Sequence, residues 1–295
     1  MSSGGSPYRC HDVTEHSIQS RIVAQKFTIK VLQPIRRADG TERFPVVYVT
    51  DSDDFFGGFS TFANFLQLYG EAPRFVLVGI GYEDSRVANL MRWRDFFTHG
   101  VRARFHGVIE QVAGSALAGG VSSLPAITQT TDAREFLQFI RDELIPYITG
   151  QYSVLPNENS LFGYSAGGAF GLYTLSTQPN IFKGYILGSP ATSYDGQDFG
   201  IELVRSLTNS FQSIDARVFI SVGELEEFGR GLNRFELTTS YYQLAKVLKL
   251  AAIPGLALTT QVFPHETHAT AWAPAFAHGL KSLFGPAPQV PFWSE

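Results

Sequence analysis

The 295-residue chain predicts an α/β fold, with a mostly parallel central sheet, helices on both faces and an antiparallel N-terminal edge. Three observations lead there. Short β-branched runs alternate with segments of helical apolar spacing along most of the chain. The runs are nearly continuous in apolar character, as in strands buried on both faces. The first strands instead alternate apolar and polar residues, as at an edge.

In chain order, residues 15–32 carry Phe27, Ile29 and Val31 in alternation before Pro34, which reads as two antiparallel edge strands. A turn at Arg37-Ala38-Asp39-Gly40-Thr41 follows. Pro45-Val46-Val47-Tyr48-Val49-Thr50 and Phe75-Val76-Leu77-Val78-Gly79-Ile80 are buried strands, separated by a helix bearing Phe62, Phe65, Leu66 and Tyr69. Beyond them come a helix over 132–148, a strand over 160–162, a helix over 166–176, strands over 184–187 and 217–222, a helix over 234–251, a strand over 258–263 and a helix over 271–284. Repeated βα units imply right-handed crossovers and helices on both sheet faces. Residues 100–130 break the rhythm: 113–123 are small and weakly periodic, and a loop of that length predicts a flexible lid, or else a solvated insertion, on one domain spanning 1–295.

The composition, 44% hydrophobic and 17% charged, supports a sizeable core. A net charge of −4 offers no footprint for a phosphate backbone, so nucleic acid is not an expected partner. Cys10 is the only cysteine, and no run approaches the ~18 apolar residues of a membrane span, nor does the start look like a secretory signal. The expectation is a cytoplasmic protein that associates with no membrane and works on a small-molecule ester.

That chemistry is expected at Gly163-Tyr164-Ser165-Ala166-Gly167, between an apolar strand and a helix, the placement of a nucleophile elbow. Ser165 is the candidate nucleophile. The Ala166 amide opens the helix and can donate to an oxyanion, with a second donor expected from Asp53, or Ser52, after the strand ending at Thr50. A serine hydroxyl needs a base. Of seven histidines, His265, His268 and His278 follow the last strand; His268 is favoured, because His265 comes too early in the turn and His278 lies in a helix. The acid should follow the strand over 217–222, where Glu226 is favoured over Glu224 and Glu227.

Four blocks together, Tyr48-Val49-Thr50-Asp51-Ser52-Asp53-Asp54-Phe55-Phe56, Gly163-Tyr164-Ser165-Ala166-Gly167-Gly168, Val222-Gly223-Glu224-Leu225-Glu226 and Pro264-His265-Glu266-Thr267-His268, resemble the esterase-D-like esterase family of α/β-hydrolases, which includes the catecholate-siderophore trilactone esterases. The likeness runs over residues 15–285 and includes Asp142-Glu143-Leu144-Ile145-Pro146-Tyr147-Ile148. It implies the α/β-hydrolase fold, a Ser165, Glu226 and His268 triad, and an open cleft with little cap. Ser52 departs from it, standing where the family has glycine, as does the insertion at 100–130. Arg92-Trp93-Arg94-Asp95-Phe96-Phe97-Thr98 resembles the segment bordering the family's cleft, so Arg92, Trp93 and Arg94, with Tyr164, are candidate substrate contacts; the alternative is a solvated Arg–Asp pair over a buried aromatic.

The expected activity is therefore a serine esterase that cleaves a carboxylic ester, including a lactone or siderophore-type ester, through an acyl-enzyme and with no metal or organic cofactor. Two alternatives share the sequence: an acyltransferase or macrocycle-forming or releasing enzyme with the same triad, and an idle hydrolase-fold binding protein.

Overall fold

The computed structural model describes residues 13–34, 40–121, 131–229 and 231–285. Cys10, residues 37–39 of the turn and residues 122–130 lie outside them. Strands β1 (Val13–Gln19), β2 (Lys26–Leu32), β3 (Phe44–Val49), β4 (Val76–Tyr82), β5 (Val154–Tyr164), β6 (Gly184–Gly188), β9 (Ala216–Gly223) and β10 (Leu256–Phe263) form one eight-stranded sheet in the order β1-β2-β4-β3-β5-β6-β9-β10. β1 and β2 pair antiparallel, and β2 runs antiparallel to β4. From β4 onward every neighbouring pair is parallel. The chain thus has the α/β architecture with the antiparallel N-terminal edge that its alternation predicts. A separate two-stranded hairpin, β7 (Ser193–Tyr194) and β8 (Gln197–Asp198), follows β6.

The helices are α1 (Ser52–Leu68), α2 (Ser85–Asp95), α3 (His99–Arg102), α4 (His106–Ala118), α5 (Ala133–Phe139), α6 (Ile145–Gln151), α7 (Ala166–Thr177), α8 (Gly200–Ser210), α9 (Leu237–Ala251) and α10 (Trp272–Phe284). Helices α1 and α10 cover one sheet face, where Phe56, Phe59, Phe276 and Leu280 pack on Val47, Leu77 and Phe162. The other face carries the larger core, with Phe136, Phe139, Phe170 and Leu244 over Val46, Leu161 and Ile220. A π-helical turn, Ile140–Leu144, joins α5 to α6, so the segment expected as one helix is continuous but under-wound locally. Asp132 starts it as a capping box with Glu135.

Within the expected insertion at 100–130, residues 100–118 are helical, which corrects the reading of that part as a loop. Small residues favour helix as readily as coil when alanine is frequent, and α4 holds Ala113, Ala116 and Ala118. No residue of α4 is buried, and it packs beside α2. No helix among the described residues is long and apolar enough to cross a membrane.

Candidate active site

The chain changes direction at Ser165, between the last residue of β5 and the first of α7. Ser165 has φ 58° and ψ −117°, a region L-residues avoid, and its backbone is tied on three sides: its N–H donates to Gly188 O at 2.9 Å, while its carbonyl accepts from Ala169 N and Ala191 N at 3.0 Å each. Strain held by such over-determination is the mark of a functional turn. The tightness explains the glycines. A Cβ on Gly163 would stand 2.0 Å from Gly167 O, and one on Gly167 would stand 2.3 Å from Thr50 Oγ1. The Ala166 amide belongs to the first turn of α7, where N–H groups have no intrahelical carbonyl and the helix dipole favours negative charge.

His268 and Glu226 meet beside this turn. His268 lies beyond β10, and its Nδ1 is 2.6 Å from Glu226 Oε2. A carboxylate only accepts, so Nδ1 carries the hydrogen and Nε2 is left as the basic nitrogen. Glu226 is fully buried in the 3-10 turn Glu226–Phe228 after β9. Its Oε1 accepts from Gly223 N at 2.6 Å and from Ser189 Oγ at 2.5 Å. Three donors therefore surround a carboxylate removed from water, as a buried charge requires. Ser189 itself is fully buried, with φ 43°.

The other acid and base candidates sit elsewhere. Glu224 is exposed and accepts from His265 N, Glu227 is spent on Thr239, His265 is almost wholly exposed, and the ring of His278, within α10, packs on Phe263. The loops bearing Glu226 and His268 are themselves joined: Glu224 N donates to Phe263 O and Leu225 N to Glu266 O.

Tyr164 is not a substrate contact. It is 3% exposed; its ring stacks on His268 at 5.0 Å and its hydroxyl donates to His268 O at 2.8 Å. Burial, with the Glu226 charge nearby, pushes its phenol pKa far up, so it stays a neutral donor. Trp93 and Arg94 are likewise corrected. Trp93 is 6% exposed and stacks on Phe97, while Arg94 is 1% exposed and donates through Nε and Nη2 to Asp95 at 2.6 and 2.9 Å. Both are interior residues of α2, Trp93 packed among Phe97, Phe105 and Phe235, and only Arg92, one helical step away, reaches the elbow.

Arg92 does so through Asp51, with Nε and Nη2 each 2.9 Å from its carboxylate, and Nη2 also donates to Tyr164 O at 3.3 Å. Asp51 holds a left-handed φ of 57° at the start of α1, where its carbonyl, not its side chain, accepts from Asp54 N and Phe55 N at 3.2 Å each. Burial raises its carboxyl pKa, and Arg92 counters part of that rise. Ser52 and Asp53, the expected second oxyanion donors, are the first residues of α1 rather than loop residues, so their amides have helix-start geometry. Their remaining groups face β2 and β4: Lys30 Nζ donates to Ser52 O at 3.2 Å and Tyr82 N to Asp53 Oδ2 at 2.9 Å. Ser189 and Asp51 were not singled out from sequence. The only local signal for either is a polar residue directly after a buried strand.

Comparison with known proteins agrees with this architecture. A model of the Esterase family, described as "Putative esterase", matches residues 122–283, more than half of the chain. The chain is 26% identical over 223 residues to the ferri-bacillibactin esterase BesA of Bacillus subtilis strain 168, spanning 68% of this chain and 67% of that one. Among solved structures it resembles the BES protein of Bacillus cereus, with a TM-score of 0.73 at 22% identity over 96% of this chain and 98% of that one. It also resembles the siderophore hydrolase EstB of Aspergillus nidulans, with a TM-score of 0.75 at 15% identity over 97% and 99%. Its fold is the α/β-hydrolase fold, and the chain belongs to the esterase family as an ester hydrolase.

Proposed function

We propose that the chain hydrolyses a carboxylic ester through an acyl-enzyme on Ser165, with His268 as base and Glu226 as the acid that orients it. The observation that carries this reading is the 2.6 Å contact between buried Glu226 and His268 Nδ1, at the same end of the sheet as the strained Ser165 turn. His268 Nε2 takes the Ser165 proton as Oγ attacks the carbonyl carbon. The Ala166 amide, with a helix-start amide of α1 at Ser52 or Asp53, holds the oxyanion. His268 then protonates the departing alcohol and deprotonates the water that releases the acid. Glu226 keeps its hydrogen bond to Nδ1 and stabilises the imidazolium. Arg92 acts indirectly, fixing Asp51 and the Tyr164 carbonyl on either side of the elbow. The ferri-bacillibactin and siderophore substrates in the names of BesA and EstB supply the substrate class to test, a siderophore-type ester.

The test is Ser165→Ala, with a fluorophosphonate probe applied to both proteins. Loss of ~10⁴-fold or more in kcat for p-nitrophenyl acetate, with labelling of the parent at Ser165 only, is expected. Retained turnover in the alanine variant overturns the reading.

A further inference from the structure

Tyr164 is the last residue of β5, and its peptide bond leads directly into Ser165. Its carbonyl accepts from Arg92 Nη2 at 3.3 Å. Its ring closes on Gly188, where a Cβ would stand 2.7 Å from Tyr164 Cδ2, and Gly188 O is the acceptor of Ser165 N. At 3% exposure the side chain has no open space to swing into. The contacts that fix the elbow thus fix Tyr164 as well.

Two parts of this side chain reach His268 independently. The hydroxyl donates to the main-chain O of His268 at 2.8 Å, and it lies 3.4 Å from Nδ1, too far to compete with Glu226 at 2.6 Å. The ring stacks on the imidazole with centroids 5.0 Å apart and planes 29° apart. Glu226 alone fixes one point of the imidazole, which leaves the ring free to rotate about that hydrogen bond. The stacked face removes this rotation, and the anchored carbonyl fixes the backbone from which the ring hangs, so together they decide where Nε2 points.

The stack also has an electrical side. An aromatic face is negative, so it interacts better with an imidazolium than with a neutral imidazole. The base becomes an imidazolium only as Ser165 attacks, and a contact that strengthens at that moment raises kcat rather than binding. The other charges near the pair are Glu226 on Nδ1, Glu266 on the base's own loop, and the Arg92–Asp51 ion pair behind the Tyr164 carbonyl. The Tyr164 phenol adds none, because burial keeps it neutral.

We propose that Tyr164 is a positioning residue for the base: its hydroxyl anchors the main chain of His268, its ring sets the imidazole plane, and its π face favours the cation formed as Ser165 loses its proton. One peptide bond joins Tyr164 to Ser165, so nucleophile and base are held to the same stretch of backbone. The inference rests on Ser165 and His268 as nucleophile and base.

The test separates hydroxyl from face with two near-isosteric replacements, Tyr164→Phe and a ring-trifluorinated phenylalanine at the same position, whose face has lost its negative charge. Each is assayed on p-nitrophenyl acetate across the range of about pH 5 to 8 in which an imidazole titrates. Tyr164→Phe is expected to lower kcat about 3- to 10-fold, one neutral hydrogen bond's worth, with KM within about twofold of the parent. Relative to Tyr164→Phe, the fluorinated protein is expected to move the acid limb of the kcat/KM profile about half a unit to lower pH, because the protonated base has lost its favourable face. Loosened packing alone would lower kcat and leave that limb in place. A Tyr164→Phe variant with the parent's kcat, or a fluorinated protein whose limb coincides with that of Tyr164→Phe, overturns the proposal. The Ser165 reading fails separately, through retained turnover in Ser165→Ala, where Tyr164 is untouched.

Discussion

Replacing Ser189 with glycine separates the hydroxyl of that residue from its backbone. At φ 43° a serine sits in the left-handed region, and glycine eases it by about 1 kcal/mol. The lost Oγ donor to Glu226, at 2.5 Å, is a hydrogen bond to a buried charge, worth about 1.5–3 kcal/mol. The two terms oppose each other in stability, and the net change is a loss of about 0.5–2 kcal/mol. In catalysis no such offset exists, because the relaxed backbone does nothing to hold the carboxylate on His268 Nδ1. The expected fall in kcat is about 10- to 100-fold, from the same hydrogen-bond energy. KM should stay within about twofold, since Ser189 is fully buried and reaches no substrate. Steady-state kinetics with p-nitrophenyl acetate on Ser189→Gly and Ser189→Ala, beside urea denaturation, measures both sides. If Ser189→Gly keeps kcat within about twofold of the parent, Ser189 does not brace Glu226 and the reasoning fails.

Two further outcomes follow from charged groups. Arg92→Ala strands the Asp51 carboxylate, which is 7% exposed, and should cost about 2–3 kcal/mol, near the lower end for a broken buried pair because Arg92 keeps some exposure. Calorimetry should read a drop of about 3–5 °C in Tm, partly restored by adding Asp51→Asn; no restoration would mean the charge was not the cause. At Asp132, burial alone would raise the carboxyl pKa, but hydrogen bonds from Arg134 and His99 outweigh it and hold it well below the usual range. A depressed carboxyl contributes its stability above the unfolded pKa of about 3.9 and loses it as pH falls through the folded value. Asp132→Asn should therefore cost about 1–2 kcal/mol at pH 7, in urea denaturation, with the gap to the parent closing below about pH 4; a gap that ignores pH would assign the effect to packing.

Much of this site is readable from sequence because its geometry is local. Gly163 and Gly167 flank Ser165 where the chain must turn hard, and Glu226 and His268 each follow a strand of unmistakable apolar character. What stayed hidden depends on neighbours distant in the chain. Arg92-Trp93-Arg94-Asp95 reads as a cleft border, yet the 100° step of α2 sends Arg92 toward Asp51 and its two neighbours inward, where the cover over Trp93 comes from Phe97, Phe105 and Phe235. Nothing in residues 92–95 announces that cover. The β7–β8 hairpin is two residues per strand, too short for any periodicity. In the sequence Ser52 and Asp53 read as loop, because Asp51, Asp53 and Asp54 after a strand resemble a turn. The same residues are favourable in a first helical turn, and the helix takes them.

The lacing of the acid loop to the base loop, through Leu225 N to Glu266 O and the parallel register that ends at Phe263 and Gly223, makes the two one unit of local stability. A fluctuation that opens one loop must open the other. Under the proposed mechanism, opening either loop therefore removes the base and its carboxylate partner together.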